Sequence, residues 1–479
     1  MQTGLDNFIW KKPTKKGVTE AISGKKYYTY NSELLLEIKE RGNNVLESYV
    51  DSDKIQEKKI NRIYDLEVED ISRPLNKFIG NKLIYMTHGL HIYPAKFIPQ
   101  IPQLCIRKFS QKLDYIIDPF CGSGTTLVEA TLLYRNSYGI DINPLAQLMS
   151  RVKTTPLNLE ELKTNYDEMI EFLDLAIKDK ITMPDSIPDN SDFPNLEYWF
   201  SKRVLLELKQ LQERINQIKN NQIKDFFLLV ISSLIRKVSL ADNDQLHPAK
   251  TRFAESQKNQ EIGAFEVYKL SLMKKYKIIK RFSNYDFSEI TCKIIGKDAC
   301  SIDLKNGIDL AVTSPPYVNA LDYVRIHKLE AYWVGLLKEK DILPLRQKFI
   351  GTDNIYTDDY KEVPHSSNEI LNDILEKVYK SDRKRAGVIY KYFTEMTKNI
   401  GEIHRILKEK GKYCIVIGSN IINNVLVPTP KILIQIAESE FGFNNIKNYV
   451  YEIINRRLKI PRADHGGTIK KEWIIVLEK

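Results

Sequence analysis

The sequence predicts an α/β fold with a mainly parallel sheet, a closing antiparallel hairpin and a mostly helical insertion. Two regions alternate short apolar runs with amphipathic helical patterns, which is typical of parallel strands joined by helices. A long segment between these regions has helical periodicity only. Near the C-terminus, two apolar runs follow each other without a helical pattern between them, which favours an antiparallel pair.

Composition limits what the chain can be. It has 479 residues, of which 43% are hydrophobic, enough for a large core and more than one domain. The net charge of +10 favours an anionic partner. The five cysteines include no CxxC pair, so neither a disulfide framework nor a cysteine-rich zinc site is expected. Without a signal peptide or an apolar stretch of membrane-spanning length, we expect a cytoplasmic protein with no membrane partner.

The chain divides into four predicted regions. Residues 1–79 form an N-terminal extension of uncertain structure, rich in Lys, Glu and Asn. Residues 80–155 carry the first α/β part, with strands predicted at 113–117 and 137–142 and a helix at 125–134 between them. Residues 156–289 form the helical insertion, in which one helix is predicted over 226–240.

Residues 290–479 return to the α/β pattern. Helices are predicted near 323–337, 386–407 and 431–438. The predicted strands are 291–295, 308–312, 413–417, 447–454 and 473–477. Because only a loop separates the last two, they are expected to form the closing hairpin.

A glycine-rich string follows the first predicted strand: Asp118-Pro119-Phe120-Cys121-Gly122-Ser123-Gly124-Thr125-Thr126. Gly122 and Gly124 allow a sharp turn and close approach of a ligand to the backbone. The helix that follows begins with free N–H groups suited to a carboxylate. A dinucleotide site would need a third glycine where Leu127 stands, and no Gly-Lys-Ser/Thr follows for a P-loop. An ordinary tight turn stays open as the alternative.

A second string, Thr313-Ser314-Pro315-Pro316-Tyr317, ends another predicted strand. The two prolines restrict φ, and Pro315 biases Ser314 to an extended conformation. This stiffness would hold the Ser314 hydroxyl and the Pro315 carbonyl as two acceptors for a planar amino group, so that little entropy is lost at reaction. Tyr317 could stack on the ring that carries that group. A simple Pro-Pro turn is the alternative.

Together the two strings resemble the motifs of S-adenosylmethionine-dependent DNA amino-methyltransferases, the cytosine-N4 and adenine-N6 family. Phe120, Gly122 and Gly124 match its FxGxG motif, and Ser314 to Tyr317 match its SPPY motif. The resemblance implies a class I methyltransferase (Rossmann-like) fold and S-adenosylmethionine as cofactor. It also implies direct methyl transfer to a base flipped out of double-stranded DNA. Cytosine-C5 enzymes instead use a Cys that follows Pro, which this chain lacks.

The resemblance also implies the site residues. Ser314, Pro315, Pro316 and Tyr317 are expected to be catalytic. Asp118 would meet the cofactor's ammonium group, Asp141 its ribose hydroxyls and Asp298 its adenine amino group. The full expected cofactor-binding set is Tyr93, Pro94, Ala95, Lys96, Phe97, Asp118, Pro119, Phe120, Gly122, Gly124, Thr125, Thr126, Asp141, Ile142, Asp298 and Ala299. His88 and His91 have an i, i+3 spacing that could suit a metal, but no third ligand is evident and none is predicted.

The identity of the base is a finer expectation. A Ser-first motif is most often associated with cytosine N4, so we expect a site-specific cytosine-N4 DNA methyltransferase with a restriction-modification or epigenetic role. The alternatives are adenine-N6 specificity, an RNA guanine methyltransferase and a non-catalytic DNA-recognition subunit. A cognate restriction endonuclease acting separately is a candidate partner.

Which part of the chain recognises the DNA sequence is also left open by the sequence. The insertion resembles a target-recognition region, although it lies before the Asp298 segment and not directly before Thr313. Two basic patches are candidates for DNA contact or for solvated surface. They comprise Lys274, Lys275, Lys277, Lys280 and Arg281 around Tyr276, and Asn455, Arg456, Arg457 and Lys459 before Gly466 and Gly467.

Overall fold

A nine-stranded mixed sheet forms the centre of the protein, seen in a computed structural model. The structure describes residues 60–63, 66–72, 75, 85–187, 192–193, 195–250, 263–318, 321–356, 360–453 and 469–479. Residues 58–479 form one unit. The other unit, residues 1–57, lies outside the described residues, as do Asn455, Arg456, Arg457, Lys459, Gly466 and Gly467 of the second basic patch.

The strand order agrees with the predicted class I methyltransferase fold. The sheet strands are β1 (Ile60–Ile63), β2 (Leu66–Asp70), β3 (Tyr115–Asp118), β4 (Asn136–Ile140), β5 (Cys292–Gly296), β6 (Ile308–Thr313), β7 (Leu407–Ile417), β10 (Asn444–Glu452) and β11 (Lys471–Glu478). Their order across the sheet is β1-β2-β10-β11-β7-β6-β3-β4-β5. Strands β3 to β7 pair in parallel, and β11 is antiparallel to both β7 and β10. The predicted mainly parallel sheet with an antiparallel C-terminal hairpin is therefore confirmed.

Helices cover both faces of this sheet. They are α1 (Gln100–Phe109), α2 (Thr125–Leu132), α3 (Pro144–Thr154), α4 (Leu159–Ile177), α5 (Leu196–Trp199), α6 (Lys202–Asn216), α7 (Asn221–Ser232), α8 (Ile235–Val238), α9 (Ala264–Ser283), α10 (Tyr323–Ile326), α11 (Lys328–Trp333), α12 (Glu339–Lys348), α13 (Glu369–Tyr379), α14 (Arg383–Ile406) and α15 (Thr429–Phe441). A short hairpin, β8 (Asn420–Ile422) and β9 (Val425–Val427), follows β7. Ile116 and Ile117 of β3 belong to buried clusters on opposite faces, as expected of a doubly covered sheet.

The described part of the insertion is helical, as predicted. Helices α4 to α9 share one buried cluster in which Leu208, Phe226 and Tyr268 are fully buried. The helix expected over 226–240 is divided, since α7 ends at Ser232 and α8 begins at Ile235. At this break the Ser233 hydroxyl donates to the Val230 carbonyl at 2.7 Å. Such side-chain-to-backbone bonds compete with a continuous helix.

The end of the N-terminal extension joins the sheet, which the sequence did not predict. Strand β2 pairs in parallel with β10, with Glu69 opposite Tyr449, and β1 forms the sheet edge beyond it. These strands have only four and five residues, too few for a clear alternation. The remaining boundaries of the four regions stay predictions. Within the described ranges, no helix combines the length and apolar character needed to cross a membrane.

Candidate active site

A cleft of about 1550 Å³ opens at the carboxyl ends of the parallel strands. Strands β3 and β6 are neighbours in the sheet, with Ile116 opposite Leu310, while β4 and β5 extend from the other side of β3. The chain therefore continues from β3 to β4 on one side, while β6 lies on the other side of β3. At such a point the connecting loops diverge and leave a crevice, which is where α/β sheets bind ligands. The glycine string follows β3, and the Ser-Pro-Pro-Tyr string follows β6. Both strings line this cleft.

The structure brings together all but three of the predicted site residues. Those that line the cleft are Tyr93, Pro94, Ala95, Lys96, Phe97, Pro119, Phe120, Gly122, Thr125, Asp141, Ile142, Asp298, Ala299, Ser314, Pro315, Pro316 and Tyr317. Asp118, Gly124 and Thr126 do not line it. Their predicted contacts with the cofactor stay predictions, and in this structure they support the loop from behind.

Gly122 and Gly124 give the loop its shape. Both have positive φ, +49° and +80°, which is strained for any residue with a Cβ. A Cβ on Gly124 would lie 2.9 Å from Ser150 Oγ and 3.0 Å from Ser150 Cα. The Ser150 hydroxyl also donates to the Gly122 carbonyl at 2.9 Å. The loop is therefore held tightly against helix α3.

Asp141 connects the loop to the end of β4. Its carboxylate accepts hydrogen bonds from the backbone N–H groups of Gly122 and Asn143, both at 2.8 Å. Burial raises the pKa of Asp141 to about 6, although these hydrogen bonds oppose the shift. A carboxylate fixed at the cleft wall, with lone pairs to spare, is suited to accept hydroxyl groups of a ligand.

Asp118 lies behind the loop, at the junction of β3 and β6. It is 1% exposed and accepts hydrogen bonds from the Thr313 hydroxyl at 2.5 Å and the Phe120 N–H at 3.0 Å. Burial raises its pKa to about 6, against the hydrogen bonds from Thr126 and Thr313. Asp118 therefore ties the glycine loop to Thr313, the residue that precedes Ser314.

Two lysines next to the glycine loop have no acidic partner among the residues that the structure describes. Lys153 of α3 is 1% exposed and donates to the Ser123 carbonyl at 2.9 Å, and Lys96 at the cleft donates to the His88 carbonyl at 3.4 Å. Within the described ranges, no carboxylate forms an ion pair with either ammonium group. Burial lowers the pKa of both, and that of Lys153 falls well below its usual value. This region of the cleft is suited to an anionic group of a ligand.

Tyr93 lies between two other rings at the cleft. It stacks on Tyr323, with ring centres 5.4 Å apart, and on His327 at 5.1 Å. The predicted cofactor segment is thereby held to helix α10 and to the residue that follows it. Ring stacking by Tyr93 therefore joins the segment 93–97 to residues 323–327, which follow the Ser-Pro-Pro-Tyr string.

The two histidines of that segment have protein partners. His88 Nε2 lies 2.7 Å from Glu129 Oε1, which also accepts from the Tyr85 hydroxyl at 2.5 Å. His91 Nε2 lies 3.0 Å from Ser232 Oγ. Burial lowers the pKa of both histidines. In the parts of the chain that are described, no group of three or more His, Cys, Asp or Glu side chains is arranged to hold a metal ion.

The far end of the cleft carries Asp298 and helix α14. Asp298 accepts from the Cys300 N–H at 2.8 Å and is otherwise exposed. Lys391 and Glu395 of α14 form an ion pair and also line the cleft. Sequence reasoning missed both, because their spacing is that of any charged pair on a solvated helix face.

The first basic patch is only partly free to meet an anion. Lys275 donates to the hydroxyls of Ser233 at 2.5 Å and Ser271 at 2.6 Å, and burial lowers its pKa to about 7. Tyr276 stacks on Tyr166 at 3.8 Å, so its ring is used in packing α9 on α4. Lys277 and Lys280 are exposed. A DNA contact by this patch stays a prediction.

Comparison with known proteins agrees with the two motifs. A family model described as DNA methylase, of the N6 and N4 type, matches residues 3–150. The Type II methyltransferase M.MvaI of Kocuria varians is 27% identical over 447 residues, covering 86% of this chain and 96% of its own. The Type II methyltransferase M.BsoBI of Geobacillus stearothermophilus is 26% identical over 502 residues, covering 92% and 95%. The chain therefore resembles the DNA amino-methyltransferases.

This resemblance supports a DNA methyltransferase activity and implies S-adenosylmethionine as the methyl donor. Among solved structures, a SAM-dependent methyltransferase from Methanosarcina mazei matches with 12% identity, covering 81% of this chain and 98% of its own, at a TM-score of 0.28. The fold assignment rests instead on the strand order and pairing described above.

Proposed function

We propose that this DNA methyltransferase modifies the exocyclic N4 amino group of cytosine in a flipped-out base, in a restriction-modification or epigenetic role. The observation that carries the proposal is the shared cleft of the glycine loop and Ser314. Asp118 and Thr313, which directly precede these two strings, are joined by a hydrogen bond of 2.5 Å. A methyl donor on one string and an amino group on the other would therefore face each other.

The residues around the loop fit S-adenosylmethionine, which supplies an electrophilic methyl group on a sulfonium. Lys96 offers a cation for its carboxylate, and Lys153 supports the loop from behind through Ser123. Asp141 would accept the ribose hydroxyls, as the acidic residue after a second strand does in related sites. Gly122 leaves room for the ligand beside the backbone, and Asp298 would meet the adenine amino group.

Ser314 and Pro315 would act on the target base. An amino group conjugated with a ring is a poor nucleophile because its lone pair is delocalised. The Ser314 hydroxyl and the Pro315 carbonyl would accept hydrogen bonds from its two N–H groups and direct the lone pair toward the methyl group. Ser314 is half-buried and belongs to the cleft wall. Because the proline corner is stiff, these acceptors need little reorganisation during the reaction.

Cytosine is preferred to adenine because Ser, not Asp or Asn, begins the Pro-Pro-Tyr motif. Adenine-N6 methylation by the same machinery is the second candidate, and it uses the same cleft. An RNA substrate or a purely DNA-reading role is less well supported, since the family model is that of a DNA methylase and the Ser-Pro-Pro-Tyr corner is intact.

Labelled S-adenosylmethionine and purified protein, incubated with unmethylated DNA, test the proposal through nucleoside analysis of the product. N4-methylcytosine is the expected labelled nucleoside. N6-methyladenine would replace the cytosine assignment with the second candidate. Label in neither nucleoside, or label only when RNA is supplied, would refute the proposal.

A further inference from the structure

Glu472 is the second residue of β11, directly before the apolar run Trp473 to Leu477, and it lines the cleft. One carboxylate oxygen accepts a hydrogen bond from the Tyr317 hydroxyl, and the other accepts one from the Tyr451 hydroxyl. Tyr451 lies directly opposite Glu472 in the neighbouring strand β10. Glu472 therefore joins the Ser-Pro-Pro-Tyr string to the C-terminal hairpin.

The sheet explains why these residues meet. Strand β11 is antiparallel to β7, with Trp473 opposite Ile417, so the first residues of β11 lie at the carboxyl end of β7. Strand β6 is parallel to β7, and Tyr317 follows its carboxyl end. Strand pairing thus brings the Glu472 carboxylate to the catalytic corner.

The two hydrogen bonds restrict the Tyr317 ring. The phenol oxygen lies on the axis about which the ring turns, so a hydrogen bond at this atom opposes rotation about the Cα–Cβ bond and fixes where the ring lies. Bonds to an ionised acceptor are roughly twice as strong as neutral ones. Burial and the nearby Glu472 charge raise the pKa of Tyr317 and of Tyr451 well above their usual value. Both phenols therefore remain donors throughout the neutral and mildly alkaline range.

We propose that Glu472 is a positioning residue for methyl transfer, which holds the Tyr317 ring in the place needed to stack on the flipped-out base. Tyr451 in turn fixes Glu472 to the sheet. The inference rests on the proposed function of the cleft and deepens it, because it assigns the C-terminal hairpin a part in aligning the substrate.

The test is a double-mutant cycle on the single-turnover rate of methyl transfer, at saturating DNA and S-adenosylmethionine. Tyr317→Phe keeps the ring and removes the hydroxyl, and Glu472→Ala removes the acceptor. We expect each to lower the rate by about 10-fold to 100-fold, the range for a misplaced reacting group. The double variant should be no slower than the slower single variant, because both changes break one interaction. The dissociation constant of S-adenosylmethionine should stay within about 2-fold of the wild-type value, since neither change touches the glycine loop.

Glu478→Ala is the matched control. It removes a carboxylate from the other end of β11, where Glu478 pairs with Lys412 at 3.0 Å, and should leave the rate unchanged. Tyr451→Phe serves if Glu472→Ala does not fold, and a rate loss smaller than that of Tyr317→Phe is expected. Multiplicative losses in the cycle, or a wild-type rate for Glu472→Ala or Tyr451→Phe, would overturn the role of Glu472 alone. Wild-type protein that transfers no methyl to DNA would overturn the proposed function, and this inference with it.

Discussion

Replacing Gly124 by Ala tests the packing of the cofactor loop. A Cβ in the left-handed region at φ +80° destabilises the folded state by about 1–2 kcal/mol. The same Cβ would lie 2.9 Å from Ser150 Oγ and 3.0 Å from its Cα, and such overpacking adds about 1–3 kcal/mol because the Cα belongs to helix α3. We therefore expect Gly124→Ala to lower the free energy of unfolding by about 2–5 kcal/mol.

Gly442→Ala separates these two contributions. Gly442 has φ +74°, but nothing lies within 4 Å of its Cβ position, so only the backbone strain of about 1–2 kcal/mol is expected. Denaturant unfolding measures the free energy of unfolding of both variants. The two values can be compared if the dependence of this free energy on denaturant concentration has the same slope in both. Titration calorimetry should show weaker S-adenosylmethionine binding for Gly124→Ala and wild-type binding for Gly442→Ala. Equal destabilisation by the two variants, or wild-type cofactor affinity of Gly124→Ala, would refute the packing argument.

Two further predictions concern acidic residues. The affinity for S-adenosylmethionine should fall as the pH falls through about 6, because the pKa of Asp141 is raised to about 6 and its ionised form is the better acceptor. Asp141→Asn should bind weakly with a shallower pH profile, in which only Asp118, whose pKa is also raised to about 6, still titrates. An unchanged profile would contradict the assignment. Glu207→Ala should destabilise the insertion by about 2–4 kcal/mol in denaturant unfolding, since buried Glu207 accepts from the Ala264 and Phe265 N–H groups at the start of α9. Exposed Glu213→Ala on the same helix α6 is its control, and an equal effect of both would count against this role.

The strand-end motifs were the most predictable part of the molecule. Both strings are marked by a local signal in the sequence, which is an apolar run followed by Gly or Pro. Parallel strands have their carboxyl ends at one edge, which places Gly122 and Ser314 in the same cleft. The hydrogen bond between Asp118 and Thr313, 195 residues apart in the chain, agrees with this placement.

Residues defined by distant contacts were not predictable. Glu472 meets Tyr317 across 155 residues, and the sequence shows only that Glu472 directly precedes the apolar run Trp473 to Leu477. Lys153 is buried, although nothing in the sequence of helix α3 indicates that a lysine would face the interior. Lys275 belongs to a patch for which the sequence suggests either DNA contact or solvated surface, but tertiary packing turns it toward Ser233. Strand β2 owes its place to pairing with β10, almost 400 residues later.

The role of Ser314 is tested most directly by the single-turnover methylation rate of Ser314→Ala, with S-adenosylmethionine affinity measured in parallel. Loss of one preorganised hydrogen-bonding group should lower the rate by about 10²–10³. Cofactor affinity should stay within about 2-fold, because Ser314 lies on the other string. Ser439→Ala, on the exposed surface of α15, controls for the loss of a hydroxyl. A wild-type rate for Ser314→Ala would contradict the account, as would a rate loss fully explained by weaker cofactor binding.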